Sequence, residues 1–353
     1  MAKYHIIMVA ALFCILLPMD SECAVTTSTL TVKQKELLST TLDKIVRGKN
    51  KDGIAPDYMA ADAPAIAEAL LLEVRKNPNK KLKEDLLDHV KNIEAHRILT
   101  NRDKSRAKSE SKLLLEEMVS MFEWDPPLRS TLYLSLFFPA REVDRYANTI
   151  RAGVFRAKEQ RILHYGDFLL FAYLPSTTPE QAMNLLKGFQ PSSRVQEYAV
   201  DALLARFGDK TAFDRLIEAA HKLGTEQHRD GVDHLMFGDC LAAVSTKEMK
   251  EFLAQGLRSE EVIRRGGGII WPKRFIYARA LAWMMMDDPS FKVTFRWGDF
   301  SDKELDEMER WCTTHLGVEY PTTPRKPLYT KAAMIQAPTP KPAQTPVKKQ
   351  ENK

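Results

Sequence analysis

RVQEYAVDALLARFGDKTAFDRLIEAA, residues 194–220, decides the fold class. Val195, Tyr198, Ala199, Ala202, Leu203 and Phe207 recur at the three- and four-residue steps that place them on one face of a helix. Gly208-Asp209 then ends that helix, because glycine accepts the left-handed backbone that closes a helix and aspartate opens the next one. Phe213, Leu216, Ile217 and Ala220 make a second stripe behind the turn. The segment therefore predicts two helices joined by a tight turn, each with an apolar face too wide to leave in water.

Working outward, the pattern recurs. Val232, Leu235, Met236, Cys240 and Ala243 form another first-helix stripe, and Met249, Phe252, Leu253 and Leu257 another second-helix stripe. Upstream, Ala182, Leu185, Leu186 and Phe189 form an earlier second-helix stripe. A two-helix unit that repeats in this way buries its apolar face only against its neighbours. Helix starts are also marked. Thr31–Gln34, Thr178–Gln181, Ser245–Glu248 and Ser301–Glu304 each place a hydroxyl three residues ahead of a carboxylate or amide, the reciprocal cap of two orphan N–H groups. Residues 291–297 (FKVTFRW) are the single candidate for extended structure, by alternation of Phe291, Val293, Phe295 and Trp297 with polar residues.

Residues 194–220 resemble a HEAT repeat of the short type found in phycobilisome-lyase-like proteins. The likeness rests on Arg194-Val195 (in reversed order), Ala199, Ala202, Gly208-Asp209, Ala212 and Leu216. Neighbouring units match it by periodicity more than by letter. The resemblance implies an all-α fold: a HEAT-like α-solenoid of antiparallel helix pairs with a scaffold role, on surfaces that serve many functions. Enzymes of this repeat type that hold two irons use His-Glu pairs. No histidine here is followed by glutamate, so that chemistry is not expected.

The chain divides by composition. Residues 6–17 (IIMVAALFCILL) are an unbroken apolar run behind Lys3. They are shorter than the roughly 20 residues that span a bilayer and match a signal-peptide core. Residues 1–23 are therefore expected to be an export signal, with the mature chain periplasmic or secreted. A helical N-terminal region, 24–125, ends at Pro126-Pro127. The HEAT-like region follows over 126–319, and a Pro/Lys-rich tail over 320–353 is expected to be disordered. Of the formal charge of +5, the tail carries +6 and the signal −1, which leaves residues 24–319 neutral. A neutral body argues against a nucleic-acid-binding domain. No second apolar stretch reaches spanning length, so no transmembrane helix is expected after signal cleavage.

Two segments are candidates for chemistry. Residues 264–275 (RRGGGIIWPKRF) surround three glycines with Arg264, Arg265, Lys273 and Arg274 and include Trp271. Glycine-rich backbone with adjacent arginine holds anions, and tryptophan and arginine are enriched at interface hot spots. These five residues are the expected protein-partner site. His221, His228, Asp230, Asp233, His234 and Asp239 form the densest group of metal-ligand types. Asp230 and His234, one helical turn apart, with His228, are its weak candidates for a metal, in a spacing that is no known motif. No cofactor is expected. Cys240 and Cys312 lie on apolar stripes, where thiols are inert; a disulfide between them needs their Cα atoms within about 7 Å. The reading favours a non-enzymatic scaffold in the cell envelope. Its alternatives are a module that binds an anionic envelope polymer through the basic tail, and an enzyme with metal at the His221–Asp239 cluster.

Overall fold

The computed structural model describes residues 31–46, 63–76, 79–100, 111–124, 131–223, 234–264, 270–295 and 300–325. The expected signal segment, most of the tail, Arg265, His228, Asp230 and Asp233 lie outside them.

The described chain is all-α, as the periodicity predicts, apart from one small hairpin. Helices α1 (Val32–Val46), α2 (Ala63–Lys76) and α3 (Lys80–Thr100) pack on one another, and α4 (Lys112–Ser120) joins α2. Between α2 and α4 the Arg75 guanidinium meets Glu117 at 2.9 Å and Glu116 at 2.8 Å. Half of Arg75 is in water, so this contributes about 1 kcal/mol or less. A turn of 3₁₀ helix, Met121–Glu123, packs on α7 (Ala147–Glu159), and α3 touches α5 (Thr131–Phe137). One apolar cluster runs from Leu38 to Val318. The break expected at Pro126-Pro127 therefore does not divide the core.

After the short α6 (Ala140–Asp144), the chain continues as α8 (Tyr165–Tyr173), α9 (Pro179–Leu186), α10 (Arg194–Arg206), α11 (Lys210–Lys222), α12 (His234–Val244) and α13 (Lys247–Gly256). Then come β1 (Val262–Arg264), β2 (Ile270–Pro272), α14 (Lys273–Met284) and α15 (Asp302–Leu316). Helices α5, α8, α10, α12 and α14 form a row in which each packs against the next. Helix α11 lies against α10, α13 against α14, and α15 against α13.

Local sequence accounts for these elements. The expected caps form at Thr31, Thr178 and Ser301, with hydroxyl and side-chain oxygen each accepting a backbone N–H. At α13 the cap is Thr246, whose hydroxyl accepts from Met249 N–H, one residue later than the pattern placed it. Gly208 adopts φ +93°, and Asp209 caps α11 by accepting from Ala212 N–H. Of the stripes of residues 194–220, Tyr198, Ala199, Ala202, Leu203, Leu216 and Ala220 are buried, and Val195, Phe207, Phe213 and Ile217 are half-buried against the same core. The stripe assigned to α12 shifts. Phe237, Cys240, Leu241 and Val244 are buried, whereas Leu235, Met236 and Ala243 are half-buried. Helix α12 lies between α10 and α14 and is apolar almost all round, so periodicity cannot choose its face.

The hairpin is antiparallel, with Ile263 opposite Trp271. Phe291, Val293 and Phe295 are buried as their alternation requires, but the segment is irregular and pairs with no strand among the described residues. Where α13 meets α14, a Cβ on Gly256 would run into the Tyr277 ring. That ring is held edge-on against Phe252. Gly256→Ala is therefore expected to cost about 1–3 kcal/mol through overpacking, measured as a lower urea midpoint at unchanged slope.

Candidate functional site

Of the residues expected to bind a partner, Trp271, Lys273 and Arg274 form an internal corner. Trp271 is 7% exposed, Lys273 2% and Arg274 3%. Pairing of β1 with β2 sets Lys273 beside Glu261: its N–H donates to the Glu261 carbonyl at 2.9 Å, and its ammonium reaches the Glu261 carboxylate at 2.5 Å and the His221 carbonyl at 3.0 Å. Burial, with Arg325 nearby, lowers the Arg274 pKa. Trp271 packs edge-on to Phe275. Arg264 closes β1. The structure thus turns Trp271, Lys273 and Arg274 inward. Glycines among cations read as a solvated loop, but the stems of such cations pack well and their heads find carboxylates and carbonyls.

The same corner holds the end of the described chain. Behind α15, Tyr320 O–H donates to the Ala254 carbonyl at 3.0 Å, and Arg258 reaches Glu309 and the Thr323 carbonyl, each at 2.7 Å. Arg325 donates to Glu309, to the Asp302 carbonyl and to Asp306. The folded chain therefore runs to Arg325, past the tail boundary expected at 320. A Pro/Lys-rich composition conceals single anchoring side chains.

Of the metal-ligand group, His221, His234 and Asp239 are among the described residues. Asp239 is buried against Arg279 of α14, and the His221 ring packs edge-on to Phe252. His234 opens α12, while its proposed partners His228 and Asp230 lie outside the described residues. Among the described residues no three histidine, cysteine, aspartate or glutamate side chains gather as a metal site. Cys240 and Cys312 are buried free thiols, not a disulfide. Burial pushes both thiols up, Cys312 to about 11, so neither supplies a thiolate near neutral pH.

Sequence reasoning missed a charged row along the core. Asp167, Asp201, Asp239 and Arg279 are all buried, and each precedes a buried pair: Phe168-Leu169, Ala202-Leu203, Cys240-Leu241 and Ala280-Leu281. Their spacings are 34, 38 and 40 residues, the period of a two-helix unit. Asp167 accepts from His164 N–H at 2.7 Å in the cap of α8, Asp201 receives Arg215 of α11, and Asp239 pairs with Arg279. The short signal Asp-X-Leu, and Arg-Ala-Leu in the last unit, would have revealed it.

It also missed a cleft of about 170 Å³ where the C-terminal ends of α8, α10, α12 and α14 converge. Its lining includes Tyr173, Arg206, Ser245, Trp283, Met284 and Asp287. Tyr173 donates to the Phe138 carbonyl at 2.8 Å, and burial beside Asp287 raises its pKa. Ser245 adopts φ +50°, a left-handed conformation that costs a non-glycine residue about 1–2 kcal/mol. Arg206 ends α10 half-buried, and loss of water lowers its pKa. Asp287 accepts the Ala140 N–H at 3.2 Å.

Comparison with protein families, curated proteins and solved structures finds no match for this chain.

Proposed function

We propose that the chain is an exported, non-enzymatic HEAT-like repeat protein that acts as a scaffold for protein–protein contact in the cell envelope. The observation that carries this reading is the recurrence of a buried charge followed by a buried apolar pair in α8, α10, α12 and α14, helices that pack in sequence order. A unit that repeats its buried positions at this period leaves its outward residues open to variation, which is how helical repeats present a partner surface. The export part rests on Lys3 and the apolar run of residues 6–17. Among the described residues no helix is long and apolar enough to cross a membrane. The concentration of +6 in residues 320–353 favours a companion contact with an anionic envelope polymer.

The test is reciprocal co-purification from the native host's envelope fraction, followed by rebuilding of the complex from purified components. The expected result is one partner held at fixed stoichiometry, on a chain whose first residue is Ala24 or Val25. An exported chain that retains Met1 removes the cleaved-signal reading, and a purified chain that rebuilds no complex removes the scaffold reading. Retention on envelope polymer that is unchanged when residues 326–353 are deleted removes the role of those residues.

A further inference from the structure

The last described residues sit on the body as a bound peptide would. Behind Gly317 the chain turns and runs back along α15: Tyr320 lies beside Cys312, and Arg325 reaches the Asp302 carbonyl, at the start of the same helix, at 2.9 Å. The segment is held at three points. Tyr320 places its O–H on the Ala254 carbonyl at 3.0 Å and its ring 5.7 Å from the Arg258 guanidinium. The Thr323 carbonyl accepts from Arg258 at 2.7 Å. Arg325, with 5% of its side chain exposed, divides its fork between Glu309 and Asp306. Between these anchors Pro321, Thr322, Thr323 and Pro324 are exposed. The two prolines restrict the free segment, so less freedom is lost when it docks.

The groove between α13 and α15 stays sound without this segment. Loss of a partner is costly where it leaves a buried charge alone, but Glu309 keeps Arg258 at 2.7 Å, and the Asp306 side chain is 58% exposed to water. The Ala254 carbonyl keeps the Leu257 N–H at 3.1 Å. Departure of Tyr320–Arg325 therefore strands neither carboxylate nor that carbonyl. The ligand that this groove recognises is a tyrosine and an arginine five residues apart on an irregular, proline-containing segment. Every copy of the chain carries both the groove and that ligand, and exchange of an identical element is a low-cost route to association. The reversal that keeps the segment on its own chain is short: Gly317 at φ +70°, then Val318 and Glu319. Short hinges favour such exchange.

We infer that the groove between α13 and α15 is a peptide-binding site, closed in cis by Tyr320–Arg325 and open in trans to the same segment of a second copy of this chain. Exchange between copies needs no third component, so it stands apart from the envelope scaffold.

The probe is a fluorescent synthetic peptide of residues 318–328, titrated into the full chain carrying Tyr320→Ala and Arg325→Ala. These substitutions release the cis segment and leave the groove unaltered. Saturable binding is expected. A tethered segment has an effective concentration of about millimolar, so the unaltered chain should bind the peptide at least about tenfold more weakly than the variant. Arg325→Ala within the peptide should weaken binding to the variant by about tenfold or more, the loss of a charge-assisted contact. If the double variant does not fold, the full chain with Arg325→Ala alone takes its place as receptor. Gly317→Pro tests the second copy. Proline cannot take φ +70°, and a Cβ at this position meets no neighbouring atom, so the change opens the reversal without altering groove or segment. Light scattering should show this full chain as a dimer, and as a monomer once Tyr320→Ala and Arg325→Ala are added. Absence of saturable peptide binding at millimolar concentration would overturn the site. Binding that is indifferent to Arg325→Ala in the peptide would overturn the role of Glu309 and Asp306. A Gly317→Pro chain that stays monomeric would overturn the second copy as the source of the ligand.

Discussion

Asp239→Ala is expected to lower the unfolding free energy by about 3–5 kcal/mol, the loss characteristic of a buried ion pair deprived of one partner. The Asp239 side chain is 2% exposed and that of Arg279 1%, so the substitution removes the carboxylate from a guanidinium buried between α12 and α14. The Phe295 ring lies 5.4 Å from that guanidinium, but this cation–π contact is present already and does not replace the lost carboxylate. Replacing both members should behave differently. Asp239→Leu with Arg279→Met removes both charges at similar volume, and such exchanges are often neutral. Urea denaturation should therefore show a large fall in midpoint for the single variant and recovery of most of it in the double. A single-variant loss below about 1 kcal/mol would show that water reaches the pair.

That pair also marks where sequence reasoning stops. Helices, their caps and the turn at Gly208 are local matters of spacing and hydrogen bonding within a few residues, and they were legible. The face of α12 was not, because a helix packed on two sides has no single apolar stripe. The hairpin of β1 and β2 was hidden for a different reason: three-residue strands on either side of a glycine run are too short to show alternation. Asp239 was read as a metal-ligand type because nothing near it in sequence reveals Arg279, 40 residues away.

The site was less legible than the fold. Lys273 and Arg274 were read as cations of a partner site, yet the partners of Lys273 are Glu261, across the hairpin, and the carbonyl of His221, 52 residues earlier. Arg206 sits in the last turn of α10, where a basic residue usually needs no further account because it opposes the helix dipole. Only the convergence of four helix ends places it in a cleft that Asp287 also lines. Charge position within a helix is written in the sequence; the charge that faces it is set by packing.

Leu216→Ala tests the packing itself. Leu216 is fully buried in α11, on the face that meets α10. Truncation removes three heavy atoms from a filled interior, and the expected cost is about 2–5 kcal/mol, with the upper end applying if α11 cannot settle into the void. A loss below about 0.5 kcal/mol would mean that this helix face is not packed as described. The distribution of the loss carries more information than its size. In a row where each helix packs chiefly on those beside it, destabilisation opens the local unit first. Amide exchange should then rise in α10, α11 and α12 while α1 to α4 stay protected. Because one apolar cluster runs from Leu38 to Val318, a uniform rise across all helices is the competing outcome. It would mean that the chain unfolds as one unit, and the repeat reading would lose its physical basis.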